Sequence, residues 1–219
     1  MTPVVDPTLS LERRLFRSGY PLVIGCDEVG RGAIAGPVAV GMSVLDRSRR
    51  IIPEGLRDSK MLSEPRREEL APIVRDWVLH ASVGLASAEE VDTHGIIVAL
   101  GLAASRAYSA LLDDGVDTSG AIVVLDGNHD YLSPAITGTA AVMTRIKADQ
   151  DCASVSAASV IAKVHRDRLM IRAHEDAAVY SWNANKGYAS SAHYAAIDEH
   201  GPHALHRVSW LRTPALMQF

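Results

Sequence analysis

Residues 121–125 read Ala-Ile-Val-Val-Leu and run straight into Asp126. This apolar run of strand length leaves no polar face for water, as in a central parallel strand covered on both sides. Such a strand needs helices above and below it, which points to an α/β sheet. The rest of the chain has to supply the neighbours and the cover.

Two further apolar runs come early, Pro21 to Cys26 and Pro37 to Leu45, with a Gly-rich turn between them. Two strands joined by a turn form an antiparallel pair. A third strand is expected over Val78 to Leu85 and a fifth over Ala140 to Ile146. Ser63-Glu64-Pro65 starts a helix whose Leu70, Ile73, Val74 and Trp77 recur at helical spacing. Ile97, Leu100, Ala104, Tyr108 and Leu111 do the same in a longer one. An Ala- and Ser-rich helix is expected from about Val155 to Ala173, with another near Ser190 to His200. Three strands in succession, then strands alternating with helices, make a mixed sheet with helices on its faces. Residues 1–20 read as a mobile leader with a short helix around Leu11 to Arg17, and 21–219 as one catalytic domain with a helical C-terminal part from about 175.

The chain has 219 residues, 47% of them hydrophobic, enough to bury one sizeable core. Charged residues at the N-terminus, and the lack of any run of roughly 18 uncharged apolar residues, argue against a signal peptide or membrane span. The chain reads as cytoplasmic, without a membrane partner. Cys26 and Cys152 are the only cysteines and have no CxxC partner, so neither a disulfide framework nor a cysteine zinc site is suggested. Nothing demands more than a monomer. The formal charge of −4 speaks mildly against binding by bulk electrostatics, although a carboxylate-built site lowers net charge without describing the groove around it.

Asp27 and Glu28 close the first strand, Asp126 closes the fourth and Asp149 follows the fifth. Carboxylates gathered beyond strand ends suit hard cations such as Mg²⁺ or Mn²⁺ better than zinc. Two such ions about 4 Å apart would activate a water and stabilise the leaving oxygen of a phosphodiester. Each acid taken alone also reads as a helix cap or solvated turn residue. Asp27 and Glu28 are neighbours on a strand, and alternation sends neighbours to opposite faces, so an irregular backbone is expected there. Gly30-Arg31-Gly32 could provide it, bringing backbone and a planar guanidinium close to a phosphate. Ser156, Ser159 and Lys163 fall on one helix face. The histidines, including His165, His193, His200, His203 and His206, have no metalloprotease spacing and read as packing or capping residues.

The stretch CDEVGRGAIAGPV resembles the ribonuclease HII family, whose signature is Asp-Glu-Val/Ala-Gly-Arg-Gly followed by Gly-Pro. Further blocks follow in the family's order: Asp58-Ser59-Lys60, Asp126-Gly127-Asn128, Lys147-Ala148-Asp149, the helix Ser156 to Lys163 with Arg166-Asp167-Arg168, then Lys186-Gly187-Tyr188, His193 and His200-Gly201-Pro202. The resemblance implies an RNase H-like fold with a mixed five-stranded sheet, flanking helices and a helical C-terminal part. It implies Asp27, Glu28, Asp126 and Asp149 as catalytic metal ligands. Gly30, Arg31 and Gly32 would read the ribose 2′-hydroxyl, Tyr188 would pack on the next sugar, and Lys60, Lys147 and Lys163 would contact phosphate. The implied substrates are RNA–DNA hybrids and duplex DNA with embedded ribonucleotides, cut 5′ to the ribonucleotide to leave a 3′-hydroxyl and a 5′-phosphate.

The chain departs from the family pattern at Ala148, where glycine is usual, at Gln150-Asp151-Cys152, where a proline stretch is usual, and at Gly95-Ile96 in place of Asn-Ile. Asp151 therefore competes with Asp149. Ribonuclease HIII, which has Gly-Lys-Gly and an extra N-terminal domain, fits less well because of Arg31 and the short leader. An inactive junction-binding module of the same fold would be expected to have lost carboxylates, and all four are present.

Overall fold

The computed structural model describes residues 6–138 and 140–212. The tail from 213, in which the sequence shows no docking motif, lies outside them, as do residues 1–5 of the leader. Five strands form one sheet: β1 Val23–Val29, β2 Val38–Leu45, β3 His80–Ala86, β4 Ile122–Asp126 and β5 Ala141–Arg145, in the spatial order β3-β2-β1-β4-β5. The first three are antiparallel, while β4 and β5 run parallel to β1. β4 is flanked on both sides, and Ile122 to Leu125 are buried, as a fully apolar strand requires.

The helices are α1 Ser10–Arg17, α2 Glu64–Trp77, α3 Ala88–His94, α4 Ile96–Asp113, α5 Ala148–Asp151, α6 Ala153–Asp176, α7 Trp182–Asn185 and α8 Ser191–His200. One core layer packs α1, α2 and α6 on one sheet face; a second packs α4 on the other. A smaller cluster joins α7 and α8 to Ile34, Ala35 and Met170. Glycines let α6 and α4 lie directly on the strands. A Cβ at Gly25 would stand 2.2 Å from the Ser154 carbonyl carbon, and one at Gly84 would stand 2.0 Å from the Ala103 oxygen. α4 has 18 residues and is apolar enough in composition to cross a membrane, but it carries Arg106 and its Leu100, Ala104, Tyr108 and Leu111 are buried in the second core layer.

The structure departs from expectation in three places. The described part of the leader is docked: Leu9, Leu11, Leu15 and Phe16 enter the first core, and buried Glu12 accepts hydrogen bonds from Ser154 N at 2.9 Å and Ser154 Oγ at 2.7 Å. That contact covers two polar groups of the first turn of α6, where helical amides lack internal partners. Ile73 is 52% exposed, because α2 turns Leu70, Ala71 and Val74 to the core instead. A short helix that was not expected, α3 with its Ser87–Glu90 capping box, precedes the expected α4, and the two are separated at Gly95, whose φ of 78° only glycine adopts without strain.

Candidate active site

β1 outruns its parallel neighbour. Its last pair with β4 is Cys26↔Leu125, whereas its ladder with β2 continues regularly through Asp27↔Gly41 and Glu28↔Val40 to Val29↔Ala39. Asp27 and Glu28 therefore flank open space on the β4 side, and both line one cleft of about 200 Å³. The irregular backbone expected at this pair is absent. The early end of β4 does its work.

Asp126, the last residue of β4, lines the same cleft, and its Oδ1 accepts the Ala148 amide at 2.7 Å and the Asp149 amide at 3.4 Å. Those are the first amides of α5, groups that lack helical partners, so Asp126 fixes the helix that carries Asp149. Lys147 precedes it with φ 60°. Ser156 Oγ donates to the Asp149 carbonyl at 2.6 Å, tying α6 to the same turn. Asp149 is buried and Lys60 Nζ reaches its Oδ2 at 3.1 Å, while Asp151 is exposed and paired with Arg145 at 2.7 Å. The structure thus brings Asp149, and not Asp151, to the other acids.

Lys60 is held by a small turn. Asp58 Oδ1 accepts the Lys60 amide at 3.0 Å, and buried Ser59 bonds Ser159 of α6 at 2.8 Å. Burial works against the Lys60 charge, but Asp27, Asp58 and Asp149 outweigh it and raise its pKa. Asp149 is pushed up to about 6 by burial first, then by Asp126 and Asp58. Burial raises Asp27 well above the usual carboxylate range, against the opposing effects of Lys60 and Ser159. Acids crowded out of water in this way are stabilised by a cation.

The donor chemistry fits a divalent ion. Asp27 Oδ2 is buried with no hydrogen-bond partner, an orphaned acceptor among carboxylates. Glu28 is engaged on both oxygens, by Tyr131 Oη at 3.2 Å and Arg31 at 3.2 Å. As they stand, no three His, Cys, Asp or Glu among the described residues form a closed ligand group. Lys60, on Asp149 and within the field of Asp27 and Asp58, supplies the positive charge at this point.

Gly30, Arg31, Gly32, Lys60, Lys163 and Tyr188 line the remainder of the cleft. Lys147 does not; its side chain is exposed and only its backbone belongs to this region. Lys163 is turned to Asp167 at 2.6 Å, with its ammonium 5.8 Å from the Tyr188 ring centroid.

The loop from Gly30 to Pro37 is shaped by Arg207, to which the sequence drew no attention, and by Arg166, which the family resemblance marked without giving it a role. Arg207 donates to the carbonyls of Gly30 at 2.8 Å, Arg31 at 3.0 Å and Gly36 at 3.1 Å. Arg166 donates to Ala35 at 2.9 Å, Pro37 at 2.8 Å and Lys186 at 2.8 Å. Behind Tyr188, His193 Nδ1 donates to the Tyr188 carbonyl at 2.9 Å, leaving Nε2 to accept from Trp182 Nε1 at 3.1 Å and from His206 Nε2 at 3.0 Å. His206 Nδ1 accepts the His203 amide at 2.8 Å, so every tautomer in this buried set is dictated. Tyr131 was also missed. A tyrosine in a loop gives no sequence signal that it will reach Glu28.

The family model for ribonuclease HII matches residues 24–213. The chain belongs to that family. It is 48% identical over 218 residues to a ribonuclease HII of Streptomyces griseus, covering 98% of this chain and 88% of that one. Among solved structures, ribonuclease H2 from Pyrococcus horikoshii superposes with a TM-score of 0.65 at 26% identity, covering 86% of this chain and 93% of the other. Ribonuclease HII from Archaeoglobus fulgidus, solved in a complex with PCNA, gives 0.67 at 26% identity, covering 90% and 100%. Ribonuclease HII membership makes the chain a ribonuclease H, a phosphodiester hydrolase, and its mixed five-stranded sheet with flanking helices is the fold of these relatives.

Proposed function

We propose that this ribonuclease H hydrolyses the phosphodiester 5′ to a ribonucleotide, both in RNA–DNA hybrids and at single ribonucleotides within duplex DNA. The observation that carries the reading is one cleft in which the carboxylates of Asp27, Glu28 and Asp126 lie beside the backbone of Gly30 to Gly32 and the ring of Tyr188. Phosphoryl chemistry and recognition of a sugar are thereby within reach of one nucleotide.

Asp27, Glu28, Asp126 and Asp149 would hold divalent ions, Mg²⁺ or Mn²⁺ by the all-oxygen character of the donors, and such ions supply Lewis-acid activation of water and charge neutralisation at the leaving oxygen. The chain's own residues do the rest. Lys60 offsets charge on the scissile phosphate from its anchored turn. Arg207 occupies the carbonyls of Gly30 and Arg31, while the amides of Arg31 and Gly32 have no backbone acceptor among the described residues. Those amides are the groups left to meet the 2′ oxygen, which only a ribonucleotide carries. Tyr188, 36% exposed, offers a ring face to the adjacent sugar without reading a base. The water's oxygen bonds to phosphorus, the P–O3′ bond breaks, and the upstream 3′ oxygen leaves as a hydroxyl while the ribonucleotide keeps the phosphate. We take the enzyme to act in the cytoplasm and as a monomer.

The test is cleavage of a labelled DNA duplex with one ribonucleotide, with Mg²⁺ or Mn²⁺, beside an all-DNA duplex and an Asp126→Asn variant. A metal-dependent nick 5′ to the ribonucleotide, absent from both controls, is expected. Selective binding of the junction without a nick would instead support an inactive module.

A further inference from the structure

Another cavity, positively charged and of about 300 Å³, lies between α1 and the loop after β2, lined by Arg13, Arg17, Arg47, Arg49 and Arg50 over a floor of Leu9 and Phe16. None of these five arginines makes an ion pair among the described residues, although seven others do. The nearest acids in sequence are committed elsewhere. Glu12 points inward to Ser154, and Asp46 accepts from the Ser48 amide and hydroxyl.

The arginines are also held in place. Arg13 donates to the Arg50 carbonyl at 3.2 Å and Arg47 to the Phe16 carbonyl, so α1 and the loop are laced together across the cavity while both charges stay uncompensated. Arg49 Nε is buried with no acceptor. A buried donor left unpaired beside four other guanidiniums is an arrangement completed by an anion.

The cavity is remote from the carboxylates. Arg47 follows Leu45, which pairs with Val23 at the start of β1, whereas Asp27 lies four residues further along that strand, roughly 13 Å at strand rise. Guanidinium forks match phosphate oxygens, and a duplex presents a charge about every 1.7 Å, so several phosphates meet such a patch together. The chain as a whole carries a formal −4, so this local concentration runs against the net charge.

We propose that this cavity is a second nucleic-acid contact, one that grips the sugar–phosphate backbone away from the scissile bond. The choice of nucleic acid as the anion rests on the ribonuclease reading above. The contact is sequence-independent and indifferent to ribose, and holds the enzyme on ordinary DNA.

The probe is a ribonucleotide-free DNA duplex, with Kd measured against KCl concentration for the wild type and for Arg17→Gln/Arg49→Gln/Arg50→Gln, which leaves both cross-cavity hydrogen bonds in place. Binding is expected to weaken by at least about tenfold, with a log Kd–log salt slope shallower by between about 2 and 3. Single-turnover cleavage of the one-ribonucleotide duplex at saturating enzyme should stay within about twofold, because the scissile phosphate is untouched. Should the triple variant melt early, Arg50→Gln alone, on an exposed side chain, is expected to lower the slope by about 0.9. Unchanged affinity and slope would overturn the proposal, as would a polyglutamate peptide that displaces the duplex at equal charge. If neither protein nicks but the slope difference persists, the ribonuclease reading falls and the anion site stands.

Discussion

Arg166 and Arg207 are both shut away from solvent, and both direct their guanidiniums at carbonyl oxygens of the same loop, Gly30 to Pro37. Neither has a carboxylate partner among the described residues. Burial and the neighbouring Arg166 push Arg207 down to about 10. Replacing Arg207 with Met would strand the Arg31 and Gly36 carbonyls and leave Gly30 with the Ala33 amide alone, and is expected to destabilise the fold by roughly 3 kcal/mol. Arg207→Lys keeps the charge but cannot span the same carbonyls, so we expect a stable protein with a raised KM for the one-ribonucleotide duplex and a smaller change in kcat. Thermal melts and steady-state cleavage check both outcomes.

Gly25→Ala probes the contact beneath the site. The new Cβ would stand 2.2 Å and 2.3 Å from the Ser154 carbonyl carbon and oxygen, and backbone there cannot swing aside. Either α6 lifts from β1 or the strand shifts, and we expect a loss of about 3 kcal/mol, visible as a lower urea midpoint.

Glu12 is a buried acid whose Oε1 is satisfied by Ser154 while Oε2 is orphaned. Burial raises its pKa, only partly opposed by the Ser154 hydrogen bonds. A carboxylate whose folded pKa is raised stabilises most below its unfolded value and loses that contribution as pH rises through the folded one. At neutral pH the charge is therefore a liability and the hydrogen bonds an asset. Glu12→Gln should melt within about 1 kcal/mol of wild type or above it, whereas Glu12→Ala should lose about 2 kcal/mol.

The histidine set behind Tyr188 predicts acid sensitivity. Burial, then the nearby His193, lowers His206 to about 4, and burial lowers His193 too; protonation would place a hydrogen on His193 Nε2 and His206 Nδ1, the two ring nitrogens that accept. For a depressed histidine, stability is complete above the unfolded value near 6.5 and is lost as pH falls toward the folded one. We expect the melting temperature to drop by several degrees between about pH 6.5 and 4, and His206→Gln to start lower but vary less across that window.

The sheet was legible because its signals are local. An unbroken apolar run of this length reads as a strand buried on both faces, and Asp126, the residue that follows it, needs no tertiary knowledge to be placed at that strand's C-terminal end. The choice between Asp149 and Asp151 was legible only by likeness to the family, since what separates them physically is Lys60 on one side and Arg145 on the other. The leader was misread as mobile because Leu11, Leu15 and Phe16 make too short an apolar stripe to announce a docking face, and Glu12 looks like a solvated acid until Ser154 arrives. Arg207 was invisible for the same reason, and Arg166 stood in a block shared with the family but without a role: a lone arginine in a helix or loop reads as surface charge, and the loop carbonyls that these two hold lie 129 to 177 residues away in the chain.

That last separation sets an order of events during synthesis. Chain elongation takes seconds for this length, so Gly30 to Pro37 leave the ribosome well before residue 207 exists. The loop from Gly30 to Pro37 lacks its Arg207 partner until that part of the chain has been made and has folded back to it. A nascent or truncated polypeptide can hold all four acids and still lack the Arg207 anchor of that loop; on the function proposed above, completing the C-terminal segment would be what adds discrimination to a carboxylate cluster.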